Sequence, residues 1–276
     1  MRVTQEGSRF RLASGDIALT IDASVGARVV EFALAGLNVL TTPSLHPEVY
    51  GSAFWTSPQS DWDWPPPAEI DVEPYRPTVH DGRVVFEGTP SRALGVAVTK
   101  SFHIAEDGLV TIEYTVINRG STSRSLAPWE VTCVAHEGVI FFVCEARIEF
   151  FGVRRPLDSI AKDGLLWIAH DRPAPEDQKL YATGSKGWLA HATASFLFVK
   201  TFPAVSPDAV APGEGEVEIF VNRSPRYVEL EQQGAFAPLA PGETRSWEVT
   251  WRLGRLPAGA AAVIGDPVLS RIAFTR

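Results

Sequence analysis

Apolar and polar residues alternate along most of this chain. The alternation is clear at residues 17–21, 110–116 and 217–221. A period of two residues is typical of strands that bury one face, and no long segment repeats with the 3.6-residue period of a helix. Glycines and prolines fall between these segments, where turns are expected. The pattern therefore predicts an all-β protein, built as an antiparallel sandwich of sheets.

The chain has 276 residues, and all-β domains of about 200–250 residues commonly form one unit. Since the sequence contains neither an internal repeat nor a linker, we predict a single domain over residues 1–276. Two stretches, 43–80 and 152–180, lack the alternation and are predicted to be long loops. Loops of this length in a compact domain are often functional.

A row of polar side chains is predicted on the strand at residues 227–234. Val228 and Leu230 face one side of this strand, and the opposite face carries Tyr227, Glu229, Glu231 and Gln233. Such a row is either solvated or holds a polar ligand. A Pro-Gly turn follows, and the next strand has an apolar face that places Trp247 and Trp251 in the predicted core.

Lys200 lies on a predicted strand, residues 196–202, that is apolar on both faces. An unpaired buried ammonium group costs several kcal/mol or loses its proton. We therefore expect a carboxylate partner for Lys200, supplied by Glu218, Glu229 or Glu231. The pair is either part of a ligand site or a structural ion pair.

An aromatic segment, FWTSPQSDWDWPPP, contains three tryptophans, Trp55, Trp62 and Trp64. Proline restricts the backbone, so neighbouring side chains lose little entropy when a ligand binds. Indole rings stack on the C–H faces of sugars, and Gln59 offers hydrogen bonds to hydroxyl groups. The alternative is that the tryptophans form a lid over one end of the sandwich.

Two features of the sequence resemble the galactose mutarotases, or aldose 1-epimerases. The segment LEQQ, residues 230–233, resembles the L-E-x-Q strand of these enzymes, in which the glutamate is catalytic. The aromatic segment and FVKTF, residues 198–202, resemble the W-x-x-P-Q…W-P-P and F-V-K motifs of a bacterial branch of this superfamily. The resemblance extends over roughly residues 10–253. It implies the galactose-mutarotase-like β-supersandwich fold.

The resemblance also implies roles for individual residues. Glu231 matches the catalytic glutamate, which acts as the base, and Gln233 matches the family's glutamine. A mutarotase also needs an acid for the ring oxygen, but Trp129 and Glu130 stand where the family has its histidine. We therefore expect Glu130 or His136 to act as the acid. The sugar-binding residues are predicted to be Trp55, Gln59, Trp62, Trp64, Trp129, Lys200, Glu229 and Gln233.

Three functions follow as alternatives. The first is an aldose 1-epimerase-like isomerase, with Glu231 as base. The second is a carbohydrate-binding protein without catalysis, which the missing histidine favours. The third is a structural or interaction sandwich, which requires the tryptophans to serve only in packing. Similarity of fold does not decide among them.

Composition narrows the choice of partner and location. The net charge of −8 and the pI near 5.3 argue against nucleic-acid binding, which needs a basic face. No metal-ligand spacing or cofactor motif is present, so we predict neither a metal nor a cofactor. The sequence lacks a signal peptide and a membrane span, which predicts a cytoplasmic protein without membrane contact and leaves a periplasmic location open. The oligomeric state is not predicted.

Overall fold

The computed structural model describes residues 2–148, 155–169, 176–224 and 226–272. Two short α-helices, α1 (Ala68–Asp71) and α2 (Pro267–Ile272), and two 3-10 turns (Gln59–Asp61 and Pro207–Ala209) accompany the strands. The strands are β1 (Arg2–Glu6), β2 (Arg9–Ser14), β3 (Ile17–Asp22), β4 (Arg28–Leu34), β5 (Leu37–Asn38), β6 (Ser52–Ser57), β7 (Arg76–His80), β8 (Arg83–Glu87), β9 (Val96–Ile104), β10 (Val110–Asn118), β11 (Arg124–Ala135), β12 (Val139–Phe142), β13 (Ala146–Ile148), β14 (Arg155–Pro156), β15 (Ile160–Lys162), β16 (Leu165–Ala169), β17 (Gln178–Thr183), β18 (Trp188–Ala192), β19 (Phe196–Thr201), β20 (Val217–Asn222), β21 (Tyr227–Gln233), β22 (Ala237–Leu239) and β23 (Thr244–Arg255).

Within the described residues the strands form two sheets, of 13 and 10 strands. Ten strands of the larger sheet follow the order β1-β2-β3-β4-β6-β11-β21-β20-β17-β13, and β5, β22 and β14 pair with β4, β11 and β17. The smaller sheet follows the order β15-β16-β12-β18-β19-β23-β10-β9-β8-β7. Neighbouring strands pair antiparallel, apart from the short parallel pair β14 and β17. The predicted antiparallel all-β architecture is confirmed.

Aromatic side chains fill the space between the two sheets. Phe32 of the larger sheet lies 5.3 Å, between ring centroids, from both Phe198 and Trp251 of the smaller sheet. Trp251 is fully buried and Trp247 nearly so, and both belong to the main apolar cluster. Large buried rings contribute much of the apolar area of such a core. The predicted core positions of both tryptophans are confirmed.

The register of the larger sheet aligns one polar row across three strands. Glu231 on β21 lies opposite Glu218 on β20, and Glu218 lies opposite Tyr181 on β17. On its other side Glu231 lies opposite Val131 on β11. Since side chains alternate along a strand, this row points away from the smaller sheet, while Leu230 and its equivalents point toward it.

The predicted loop at 43–80 is wrong in part, because it contains β6, α1 and β7. All six residues of β6 are buried, so the strand has no solvent-exposed face and does not alternate between apolar and polar residues. The predicted loop at 152–180 is also wrong in part, because it contains β14, β15, β16 and the start of β17. Its residues 152–154 and 170–175 lie outside the described residues. No described helix has the length and apolar character needed to cross a membrane.

Candidate functional site

A cavity of about 500 Å³ opens on the outer face of the larger sheet, above β11, β20, β21 and β17. The residues that line it come from these strands and from the loops around β6. Its polar members are His46, Glu48, Gln59, Asp177, Lys179, Tyr181, Asn222, Tyr227, Glu229 and Glu231, and its apolar members are Val49, Trp55, Trp64, Trp129 and Phe220. A concave site with this mixture of aromatic and polar groups suits a small polar ligand.

Glu231 lies at the floor of this cavity and is held by two donors. The indole nitrogen Nε1 of Trp129 donates to Glu231 Oε2 at 3.1 Å. Lys179 Nζ donates to the same oxygen at 3.2 Å. These contacts fix the carboxyl group in one orientation while it still lines the cavity. Glu231 is therefore buried in the protein and faces the space that a ligand would fill.

A second carboxyl group shares Lys179 with Glu231. Lys179 Nζ lies 2.6 Å from Glu218 Oε2. Glu218 Oε1 accepts hydrogen bonds from the backbone N–H of Gly215 and from Gln233 Nε2, both at 2.8 Å. Two buried carboxyl groups thus compete for one ammonium group, and Gln233 fixes the second of them.

Burial raises the pKa of both carboxyl groups. The pKa of Glu231 is raised to about 7, because desolvation and the charge of Glu218 outweigh the attraction of Lys179. Burial likewise raises the pKa of Glu218 to about 8. The pKa of Lys179 is also raised, because the two carboxylates outweigh its own burial. Near neutral pH the cavity therefore contains a carboxyl group able to accept or release a proton.

The tryptophans form a connected wall beside Glu231. The ring of Trp55 lies 5.4 Å from Trp129 and 5.8 Å from Trp64, between centroids. Trp55 Nε1 donates to Asp71 Oδ1 at 2.9 Å, which fixes its ring. Trp64 is 54% exposed at the mouth of the cavity. The wall offers indole faces on which a sugar ring can stack.

Trp62 has a different position from its neighbours. It is buried, its Nε1 donates to the carbonyl oxygen of Thr56 at 2.9 Å, and its ring packs behind Trp55. Trp55 and Trp64 line the cavity, whereas Trp62 does not. The aromatic segment therefore serves partly as a cavity wall and partly as packing.

His46 joins the site from the loop before β6. Its Nδ1 accepts hydrogen bonds from the backbone N–H groups of Glu48 and Val49, at 3.3 and 3.0 Å. In a neutral ring Nε2 then carries the hydrogen. The ring lies 5.8 Å from the ring of Tyr227, so His46 lines the end of the cavity near the start of β21.

Glu130 points from the inner face of the larger sheet into the core, where it meets Lys200 of the smaller sheet. Lys200 Nζ is 2.9 Å from Glu130 Oε1 and donates to Thr132 Oγ1 at 2.7 Å. Glu130 also accepts hydrogen bonds from three further buried donors, Tyr114, Gln232 and Trp251. The expectation that Lys200 pairs with one of the three glutamates of β20 and β21 is wrong, because those side chains point to the outer face of the larger sheet, whereas Glu130 points into the core toward Lys200. Neither Lys200 nor Glu130 reaches the cavity over Glu231, since Glu130 points opposite to its neighbour Trp129.

Of the other predicted site residues, Gln59 and Glu229 line the cavity, and Gln233 supports it through Glu218. The backbone N–H of Gln59 donates to Glu214 Oε1 at 2.7 Å. His136 follows the end of β11, past Ala135, which pairs with Tyr227, and it is not among the cavity-lining residues. The structure therefore does not bring His136 close to Glu231.

Sequence reasoning missed several residues of the site, namely Lys179, Tyr181, Asp177, Asn222, His46 and Glu48. Lys179 and Tyr181 alternate with Leu180 and Ala182 on β17, so a signal was present. This alternation begins at the end of the stretch 152–180, which was predicted to be a loop. Among the described residues, no group of three or more His, Cys, Asp or Glu side chains could hold a metal ion.

Comparisons with known proteins agree with this architecture. A family model described as "Domain of unknown function (DUF4380)" matches residues 8–254. None of the curated proteins matches the sequence. A galactose mutarotase-like protein from Clostridium acetobutylicum is 13% identical, with 92% of this chain and 98% of that chain covered and a TM-score of 0.65. One from Lactobacillus casei is 10% identical, with 89% and 100% covered and a TM-score of 0.66.

A galactose mutarotase related enzyme from Lactobacillus acidophilus is also similar in structure. It is 10% identical, with 93% of this chain and 100% of that chain covered and a TM-score of 0.57. Identities of this size show the fold alone. The predicted galactose-mutarotase-like β-sandwich is therefore confirmed, and the chemistry has to be argued from the cavity.

Proposed function

Because this chain belongs to the family described as "Domain of unknown function (DUF4380)" and has a galactose-mutarotase-like fold, we propose that it binds a sugar over Glu231 and interconverts the sugar's anomers. The observation that carries the proposal is Glu231 itself. It is a carboxyl group on the cavity floor, fixed by Trp129 and Lys179, with a pKa of about 7. A general base works best with a pKa near the operating pH.

The cavity supplies contacts for both kinds of sugar surface. Trp55 and Trp64 present indole faces for the C–H groups of the ring. Gln59, Tyr181, Asn222 and Glu229 stand around them as hydrogen-bonding groups for hydroxyls. The carboxylates outnumber the single lysine in this lining, so a neutral sugar fits its charge better than a phosphorylated one.

The proposed reaction starts from ionised Glu231. Its carboxylate takes the proton of the anomeric hydroxyl, a C=O bond forms at the anomeric carbon, and the bond from that carbon to the ring oxygen breaks. The ring oxygen receives a proton, the aldehyde rotates, and the reverse steps close the ring on the other face. We assign Lys179 to the ring oxygen, because its ammonium group is 3.2 Å from Glu231 and lines the same cavity. In this role Lys179 takes the place of the histidine of the mutarotases that the sequence resembles.

The test is the Glu231→Gln variant. Its acceleration of α/β exchange should fall by roughly 10²–10⁴-fold, while sugar affinity changes little, because the base acts on the proton in transit. Exchange is followed by polarimetry or exchange NMR on freshly dissolved aldoses, free and phosphorylated. Glu248→Gln is the control, because it removes an exposed carboxyl group on β23 that does not line the cavity. It should retain most of the acceleration.

A second function, sugar binding without catalysis, is favoured by one observation. Glu231 is already engaged by Trp129 and Lys179, and Trp129 and Glu130 stand where the mutarotases that the sequence resembles have their histidine. A parent protein that binds an aldose yet leaves its spontaneous exchange rate unchanged would establish binding as the function. An exchange rate that Glu231→Gln does not alter would remove Glu231 as the base.

A further inference from the structure

A second cavity, of about 280 Å³, lies directly beside the first. Both cavities are lined by Glu48, Val49, Trp55 and Trp64, so they share one wall and one mouth. The residues that line only the second cavity are mostly apolar: Val25, Pro47, Ala53, Pro65, Pro66, Ala68, Val72, Val131 and Cys133, with Tyr50, Arg28 and Asp71. We call the first the polar cavity and the second the apolar cavity.

The strand register shows why the floor changes character between them. Glu231 lies opposite Val131, and Val131 lies opposite Ala53. One row further along, Glu229 lies opposite Cys133. The floor is therefore carboxylate on β21 and apolar on β11, about 5 Å away, and on β6, which is one strand further. A substituent on a ligand that is bound over Glu231 can therefore extend into the apolar cavity.

Arg28, the one cation among the described residues that line the apolar cavity, is already neutralised. Arg28 Nη2 donates to Asp71 Oδ1 at 2.8 Å, and Arg28 Nη1 donates to the carbonyl oxygen of Glu48 at 2.6 Å. The guanidinium also lies 4.7 Å from the ring of Tyr50. Since Asp71 cancels the charge of Arg28, this cavity has no net positive charge to hold a phosphate or a carboxylate.

We infer that the apolar cavity binds an uncharged, apolar group carried by the same sugar that occupies the polar cavity. The inference rests on the proposed function for the sugar itself and adds the class of substrate: a sugar with an aryl, alkyl or similar substituent. Size agrees with this, because a dry cavity of about 150 Å³ accommodates a benzene ring. The half-exposed Trp64 at the shared mouth would be covered by such a ligand.

The experiment compares O-benzyl and O-methyl ethers of one sugar, with the ether placed in turn on the anomeric oxygen, O4 and O6. Binding is measured by calorimetry and tryptophan fluorescence. At one position the benzyl ether should bind about 10–100-fold more tightly than the methyl ether, the gain expected from burying a phenyl group. The 6-phosphate of the same sugar should bind no more tightly than the free sugar.

Two variants locate the gain. Ala68→Trp fills the apolar cavity from an exposed position on α1, where a large side chain does not disturb the core. It should remove the preference for the benzyl ether and leave the affinity for the methyl ether unchanged. Ala204→Trp is the matched control, an exposed loop residue that lines neither cavity. It should keep the preference.

The outcomes separate this inference from the proposed function. Methyl ethers that bind, with no gain from benzyl at any position, overturn the inference and leave sugar binding intact. A gain that survives Ala68→Trp, or a tighter 6-phosphate, also overturns it. Failure of every free sugar and methyl ether to bind overturns the proposed function, and the inference with it.

Discussion

Glu231 has a near-neutral pKa because opposing effects act on one carboxyl group. Burial and the neighbouring Glu218 favour its protonated form, while Lys179 favours its ionised form. Glu218 is subject to the same burial and the same lysine. The two carboxyl groups therefore titrate as a pair, and a change at one changes the pKa of the other.

Glu218→Gln should shift the pH dependence of anomer exchange toward lower pH. The variant removes a neighbouring negative charge, so the pKa of Glu231 falls and Glu231 is ionised at lower pH. The ascending limb of the rate profile, expected near pH 7 in the parent, should move to lower pH in the variant. The measurement is the exchange rate from pH 4.5 to 9. An ascending limb that stays at the parent's pH would exclude electrostatic coupling between the two glutamates.

Lys200→Met should lower the free energy of unfolding by about 3–5 kcal/mol, because it leaves Glu130 buried without its cation. The double variant with Glu130→Gln should recover part of this loss, since both charges are then gone. Urea denaturation measures both effects. Sugar affinity should not change, because neither residue lines the polar cavity. A single variant as stable as the parent would contradict the assignment of a buried ion pair.

The sequence predicted the need for a partner to Lys200 and not its identity. A buried lysine requires a carboxylate wherever its strand packs, which is a property of the residue. Which strand lies across the core is a property of the whole sandwich, and β11 could not be placed there from the pattern alone. The site could have been predicted better in one respect: Trp129 and Glu130 are neighbours on a strand, so only one of them can face Glu231.

At the scale of elements, the segment around β6 combines support and recognition. Trp55 is fixed by Asp71, and Trp62 by the backbone of Thr56, whereas Trp64 stands at the mouth. The sequence left open whether this segment faces a ligand or covers the sandwich, and in the structure Trp55 and Trp64 line the cavity while Trp62 packs behind Trp55. Their rings are alike in sequence, and only burial separates them.

Trp64→Ala should therefore impair mainly sugar binding, and Trp62→Ala should impair mainly stability. Trp64→Ala should weaken sugar binding and reduce the fluorescence change on titration, with little loss of stability, because Trp64 is 54% exposed. Trp62→Ala should lower the free energy of unfolding by about 3–5 kcal/mol, the usual cost of removing a buried tryptophan. Monosaccharide titration and urea denaturation measure the two effects. Unaltered sugar affinity in Trp64→Ala would show that Trp64 does not contribute to sugar binding.

The strand β17 was not predicted from the sequence pattern. Lys179 and Tyr181 are on the outer face of this strand, and Leu180 is buried on the inner face. The alternation is only six residues long and adjoins a stretch without any pattern. Period alone rarely decides such short segments, whereas pairing with β20 does. The lysine that we assign to catalysis was missed for that reason.

At the scale of the molecule, the larger sheet separates two polar systems. Its inner face carries Glu130, paired with Lys200 of the smaller sheet, and its outer face carries Glu231 and Glu218. The sandwich class followed from alternation, but the order of strands did not. Trp129 and Glu231 are bonded across 102 positions of sequence. Contacts between residues so far apart in sequence cannot be predicted from a local pattern. The polar row on β21 could therefore be predicted, but not the residues that complete the cavity.

The raised pKa values of the two outer glutamates should make the protein's stability depend on pH. A carboxyl group whose pKa is raised on folding binds its proton more tightly in the native state than in the unfolded chain. Its contribution to the free energy of unfolding is fully present below about pH 4.5, the pKa in the unfolded chain. The contribution is lost as the pH rises through about 7 for Glu231 and about 8 for Glu218. Over that window the free energy of unfolding falls by up to about 1.4 kcal/mol per pH unit for each proton.

Glu218→Gln should therefore gain stability relative to the parent as the pH rises from 5 to 8. The variant lacks one of the two groups and lowers the pKa of the other, so both contributions to the slope diminish. Buried groups away from Glu218, such as His191 and Lys100, are present in both proteins and cancel in the difference, whereas Glu214, whose pKa is also raised by burial, is hydrogen-bonded to Glu218 and belongs to the same coupled group. Urea denaturation at pH 5, 6.5 and 8 gives the two curves. If the curves run parallel, these glutamates do not carry raised pKa values in the folded protein, and the chemistry proposed for Glu231 loses its basis.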